Sequence, residues 1–153
     1  MKKDVLMVLA PCVKFVLTSD YSVMPKYHTD GSAGFDLHSV EDVWIPGGET
    51  AMVDVGLKSE IPEGSEVQVR SRSSMARNGM IVANSPGTID SDYRGEWKVI
   101  LHNLTPYTKQ ICIGDRIAQG VIQSVQQADF LEIEENELST TDRGSGGFGS
   151  TGK

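Results

Sequence analysis

The sequence has no excess of positive charge, no cysteine framework, no long apolar run and little helical periodicity, and each absence excludes a class of explanation. A formal net charge of −7 leaves no positive field for non-specific binding to nucleic acid or to an anionic membrane surface. Any anionic ligand must be held by a local cluster of cations. Cys12 and Cys112 form no CxxC pair, so they are expected to be reduced, mostly buried thiols in a reducing compartment. No stretch approaches the ~20 apolar residues of a membrane span. Lys2, Lys3 and the run from Val5 to Leu9 ahead of Cys12 imitate an export signal. Asp4 interrupts its basic region, however, the run is short, and Pro11 stands where a small cleavage-site residue belongs. A soluble cytoplasmic protein is expected, nuclear or organellar in a source that has such compartments. His28, His38 and His102 are scattered without metal-ligand spacing, and no serine or cysteine is paired with a histidine as a covalent nucleophile would require. All three are expected to be surface or partly buried residues.

What is present is a run of short strands. At 153 residues the chain reads as a single domain, residues 1–153, able to bury a core without disulfide or metal staples. Val13 to Leu17 reads as a strand, Ser22 to Tyr27 as irregular around Pro25, and Ser32 to His38 as a compact segment. Val53, Val55 and Leu57 alternate with Met52, Asp54 and Gly56, the period-2 pattern of one strand with one buried face. Val67 and Val69 repeat the pattern, as do Trp97, Val99 and Leu101, and a last strand runs from about Arg116 to Val125. Only Ser73 to Asn78 looks helical, with Ser73 or Ser74 as N-cap. Strands at this spacing, joined by Gly and Pro turns, predict an all-β jelly-roll-like sandwich or barrel. Asp129 to Glu137 is acidic with few apolar anchors, and residues 139–153 form a Gly, Ser and Thr tail expected to be mobile until something binds.

Four segments carry candidate chemistry. Gly87 to Gly95 reads Gly-Thr-Ile-Asp-Ser-Asp-Tyr-Arg-Gly and suits either a surface turn with solvated acids or a β-hairpin loop shaped for a small molecule. Arg72-Ser73-Ser74 lies where a strand gives way to a turn, and its hydroxyls and amides either cap that turn or meet an anion. Gly114 to Gln119 opens the last strand, with Gln119 on the face of Ile117 and Val121, where an amide needs a partner from ligand or backbone. Arg143 to Thr151 joins a cation, many unhindered amides, two hydroxyls and the lone aromatic Phe148, which suits stacking on a base.

Taken together with Ala33-Gly34-Phe35-Asp36-Leu37, and with Arg72 to Ala76 and Arg143 to Gly152 taken whole, these segments supply in order five motifs of a known family. The sequence resembles the trimeric, all-β deoxyuridine triphosphatases, the dUTP pyrophosphatases (dUTPases). Each motif alone is weakly specific, whereas five in order across most of the chain are very specific. Ser74 stands where many members have glycine, and the serine form also occurs within the family.

The resemblance implies hydrolysis of dUTP to dUMP and pyrophosphate, which keeps uracil out of DNA and supplies dUMP for thymidylate synthesis. Asp90 is implied as the general base that activates a water against the α-phosphorus, and Tyr93 as the ring beneath the deoxyribose that excludes a 2′-hydroxyl. Asn84 and the backbone of Thr88, Ile89 and Lys98 would read the uracil edge, with Gly87 also among the substrate-binding residues. Arg72, Ser73, Ser74 and Gln119 would hold phosphates, and Asp36 would orient water around a Mg²⁺ chelated by the triphosphate. Phe148 would stack on uracil while Arg143, Ser150 and Thr151 close over the phosphates, with Gly147 and Gly149 also among the substrate-binding residues. The implied assembly is a homotrimer with shared sites and dUTP as the small-molecule partner, without nucleic acid or membrane. Elementary chemistry agrees with these roles, because in-line attack on phosphorus needs a proton acceptor and fixed positive charge where negative charge builds up. A deoxycytidine triphosphate deaminase of the same fold family would need different residues at the base, and a non-catalytic module would have lost Asp90 or the tail.

Overall fold

Apolar residues at every second position force extended segments that bury one face each. The computed structural model describes residues 10–147. Its strands are β1 (Lys14–Leu17), β2 (Phe35–His38), β3 (Val43–Ile45), β4 (Thr50–Asp54), β5 (Leu57–Glu60), β6 (Ser65–Arg70), β7 (Met80–Val82), β8 (Gly87–Ile89), β9 (Lys98–Asn103), β10 (Lys109–Ile111) and β11 (Arg116–Ser124). They form a four-stranded sheet in the order β2-β11-β6-β8, a three-stranded sheet β4-β9-β7, and the pairs β1-β5 and β10-β3. Every pairing is antiparallel. This is the all-β, jelly-roll-like architecture that the strand spacing predicts.

The alternating residues meet in one core. Val53, Val55 and Leu57, Val67 and Val69, and Trp97, Val99 and Leu101 are all buried, joined by Leu37, Ile45 and Ile117. Trp97 packs edge-on against Phe15 with ring centroids 5.4 Å apart and donates its indole N–H to Ser59 Oγ at 3.1 Å. Truncating such a side chain to alanine costs about 3–5 kcal/mol. The other tryptophan, Trp44 on β3, is exposed. Buried Asn103 is fully employed: its amide donates to the carbonyls of Ile45 and Tyr107, and its oxygen accepts from the Thr105 N–H and hydroxyl. On β11 the register slips between Arg116 and Ala118, and the extra residue lets Ile117 and Ala118 both point inward.

Four local expectations are corrected. Val53 to Leu57 is not one strand, because Gly56 adopts φ +64° and divides it into β4, which pairs with β9, and β5, which pairs with β1. A Cβ at Gly56 would stand 2.3 Å from Ser22 Oγ, so no other residue fits this sheet change. The alternation survives across the break, which is why the pattern conceals it. The helix α1 spans Ser73–Arg77 with Arg72 as N-cap and no side-chain cap, so neither serine has the expected role there. Cys12 and Cys112 are both exposed rather than buried, since each lies outside the alternating runs. Gly87 to Gly95 is not a hairpin: β8 pairs with β6, whereas β9 pairs with β4 and β7, so the segment carries the chain from one sheet to the other. Glycines permit a reversal, but they do not specify that the flanking strands pair.

Candidate active site

The sheet change at residues 87–95 opens a cavity of about 570 Å³. Asn84, Thr88, Ile89, Tyr93 and Lys98, expected at the nucleoside, line it together with Gly87 and with Asp90, the expected base. Met52, Val69, Glu96 and Ile100 complete the wall. The sequence reading did not single these out, although their places on β4, β6 and β9 follow once the pairing is known.

Two features make this wall suitable for a base and a sugar. First, β8 is the terminal strand of its sheet, with β6 on one side only. Among the described residues its outer N–H and C=O groups have no strand partner, and they suit pairing with the edge of a ligand, as an edge strand pairs with another strand. Second, the Tyr93 ring is held flat over the backbone, its hydroxyl donating to the Glu96 carbonyl at 3.1 Å. A Cβ at Gly95 would lie 2.3–2.9 Å from the ring and its hydroxyl, so the closing glycine is what lets the tyrosine lie there. Between these features stands Asp90, in a turn closed by the Tyr93 N–H on the Asp90 carbonyl at 3.2 Å. Among the described residues, the Asp90 carboxylate enters none of the ion pairs.

The second cluster has the opposite character. Asp36 on β2, opposite Gln119 on β11, accepts from Arg72 Nε on Oδ1 at 2.7 Å. Its Oδ2 faces His28 Nε2 at 2.8 Å and Arg116 Nη1 at 3.4 Å. Burial pushes the Asp36 carboxyl upward, but the His28 hydrogen bond and the Arg72 and Arg116 charges outweigh it and hold the group below its ordinary 3.8. Nearby His38 is held below its ordinary 6.5, chiefly by burial and against the pull of Asp36. Arg72 Nη1 donates to the Arg116 carbonyl at 3.1 Å, and Gln119 Nε2 donates to the Ser71 carbonyl at 3.0 Å. One donor of the Gln119 amide is thus taken by backbone. Ser73 and Ser74 are exposed at the first turn of α1. Sequence reasoning missed His28 and Arg116; Arg116 lies inside the Gly114–Gln119 motif, but nothing local marks His28.

Arg143 lies on the surface, its Nε donating to the Gly146 carbonyl at 2.8 Å, and Gly147 follows this turn. Phe148, Gly149, Ser150 and Thr151 lie outside the described residues. None of Asp36, Arg72, Ser73, Ser74, Gln119, Arg143 and Gly147 lines the cavity at Asp90.

A family model described as dUTPase matches residues 20–152. The chain belongs to the dUTPase family. Among the similar dUTPases are the deoxyuridine 5'-triphosphate nucleotidohydrolases of Helicobacter pylori (strain ATCC 700392 / 26695) and Nautilia profundicola. The first is 53% identical over 132 residues, covering 86% of this chain and 90% of the relative. The second is 54% identical over 133 residues, covering 86% and 92%. A solved dUTPase of Staphylococcus bacteriophage 80alpha with dUpNHpp matches with a TM-score of 0.84 and 26% identity, over 93% of this chain and 99% of that one.

Proposed function

We propose that the protein, a dUTP diphosphatase by its family, hydrolyses dUTP to dUMP and pyrophosphate with Asp90 as general base. The observation that carries this reading is the Asp90 carboxylate, unpaired among the described residues, lining the cavity beside β8, the terminal strand of its sheet. A base must have a lone pair available, and hydrogen bonds or ion pairs would tie it up. Uracil pairs along β8 and Asn84, and deoxyribose lies against Tyr93. Asp90 takes a proton from a water whose oxygen bonds to the α-phosphorus as the bond to the bridging oxygen breaks, and the electron pair leaves on pyrophosphate. The dUMP formed supplies thymidylate synthesis, and removal of dUTP keeps uracil out of DNA.

The phosphates meet Arg72, Ser73, Ser74 and Gln119, with Arg143 and the tail, residues 139–153, closing as a lid. Since these residues do not line the Asp90 cavity, the working site is completed by other copies of the chain in a homotrimer. Phe130 and Leu131, 98% and 85% exposed ahead of the tail, supply apolar surface for such an assembly. Magnesium fits Asp36 only through water: three donors occupy this carboxylate, which has about four acceptor positions. Among the described residues no group of His, Cys, Asp and Glu forms a cage, which suits an ion held mainly by triphosphate oxygens. When bound, the ion neutralises phosphate charge. The free, exposed Cys12 and Cys112 support the reducing cytoplasm as the compartment.

Incubation with dUTP, dCTP and dTTP, with pyrophosphate and ammonia assayed separately and mass followed by light scattering, tests this reading. Pyrophosphate from dUTP alone by a species of three chains is expected. Ammonia from dCTP, or full activity from a monomer, would overturn the corresponding part.

A further inference from the structure

The cluster at Asp36 contains one member that no motif accounts for. His28 lies in the irregular segment before β2, with Nε2 2.8 Å from Asp36 Oδ2. An ionised carboxylate offers only lone pairs, so Nε2 carries the proton in this contact and donates it. Arg72 Nε occupies the other oxygen at 2.7 Å, and Arg116 Nη1 reaches Oδ2 only at 3.4 Å. Arg72 Nη1 is directed to the Arg116 carbonyl at 3.1 Å and to Ser74 Oγ at 3.4 Å. Nη2 has no partner among the described residues and is the donor left for a ligand oxygen.

We infer that His28 is a positioning residue that acts through Asp36 to aim Arg72 at an oxyanion of the substrate. A carboxylate with short donors on both oxygens is fixed about its terminal bond. One that keeps a short donor on a single oxygen is free to turn, and a long guanidinium hydrogen-bonded to it loses its direction. Without His28, Oδ2 keeps only the long contact to Arg116, and Arg72 Nε loses a stationary acceptor. The His28 side chain is 55% exposed and is absent from the core, so its replacement does not threaten the fold. The inference rests on the reading that Arg72 holds phosphate.

Steady-state hydrolysis of dUTP by the full-length protein tests it. His28→Ala is expected to raise KM about fivefold with kcat nearly unchanged, the scale of one exposed charge-assisted contact. His28→Gln, whose Nε2 reaches the same point, restores the wild-type KM. In an Asp36→Asn background, His28→Ala adds nothing further, because the carboxylate it holds is gone. An unchanged KM in His28→Ala, no rescue by His28→Gln, or the same increment in both backgrounds would overturn the inference. Arg72→Ala separates the two readings: if it raises KM while His28→Ala does not, only the role of His28 fails. If Arg72→Ala leaves KM unchanged, the placing of Arg72 on phosphate fails as well.

Discussion

Asp90 and Asp36 are carboxylates of the same chemical type in opposite circumstances. Asp90 lines a cavity, exposed and outside every ion pair among the described residues. Asp36 is largely buried on a sheet and held by two arginines and a histidine. A proton acceptor must keep a lone pair for the reaction, whereas a carboxylate that fixes an arginine must have its lone pairs occupied. The difference is made by the backbone: Asp90 follows the last residue of an edge strand, and Asp36 lies on a strand paired to β11.

Removing the lone pair on the free side has the largest expected effect. Asp90→Asn keeps size and polarity, so turnover should fall by about 100-fold or more with nucleotide binding largely retained. Single-turnover kinetics beside equilibrium binding of a non-hydrolysable analogue checks this, and normal turnover removes Asp90 from the role. Ending the chain at Thr141 tests whether the two regions need the tail to work together. Hydrolysis should drop by at least about tenfold while thermal midpoint and assembly hold, because the proposed lid would no longer exclude water or align phosphates. A truncated protein that keeps the full rate, or that unfolds, contradicts the lid.

Gly95→Ala disturbs the cavity and leaves the Asp36 cluster intact. Its Cβ displaces the Tyr93 ring, and KM for dUTP should rise roughly fivefold with no comparable loss of stability. A crystal structure of the variant with Tyr93 unmoved would refute the steric argument. The smallest effect belongs to the paired side. The folded-state pKa of Asp36 lies below 3.8, so between the two values the unfolded chain binds the extra proton. The stabilisation is therefore present above the unfolded value and lost as pH falls through the folded one. In Asp36→Asn the decline of thermal midpoint on acidification should be shallower than in the wild type. Parallel declines would show that the pairs do not favour the charged form.

Much of this arrangement is legible in the residues. Period-2 alternation locates the buried faces, and Val53, Val55 and Leu57 are all inside as the pattern requires. The residues expected at the nucleoside share one cavity with the expected base Asp90 because they lie close together in sequence, where one sheet change can gather them. Pairing partners are not legible, since alternation is the same whichever strand lies alongside; hence the break at Gly56 and the change of sheet after β8. His28 is invisible for the same reason. Its meaning comes from Asp36, eight residues away, and through that carboxylate from the distant Arg72, which meets the other oxygen at 2.7 Å.

The fate of the two tryptophans gives the protein an internal pair of optical reporters. Trp97 begins two residues beyond Gly95 and is 1% exposed, whereas Trp44 is 64% exposed on β3. Emission from Trp44 already comes from an aqueous environment and changes little on unfolding, so a red shift of the native spectrum measures the entry of water at Trp97. A Trp44→Phe protein would give that signal without background, from a residue joined to the same loop that carries Asp90 and Tyr93.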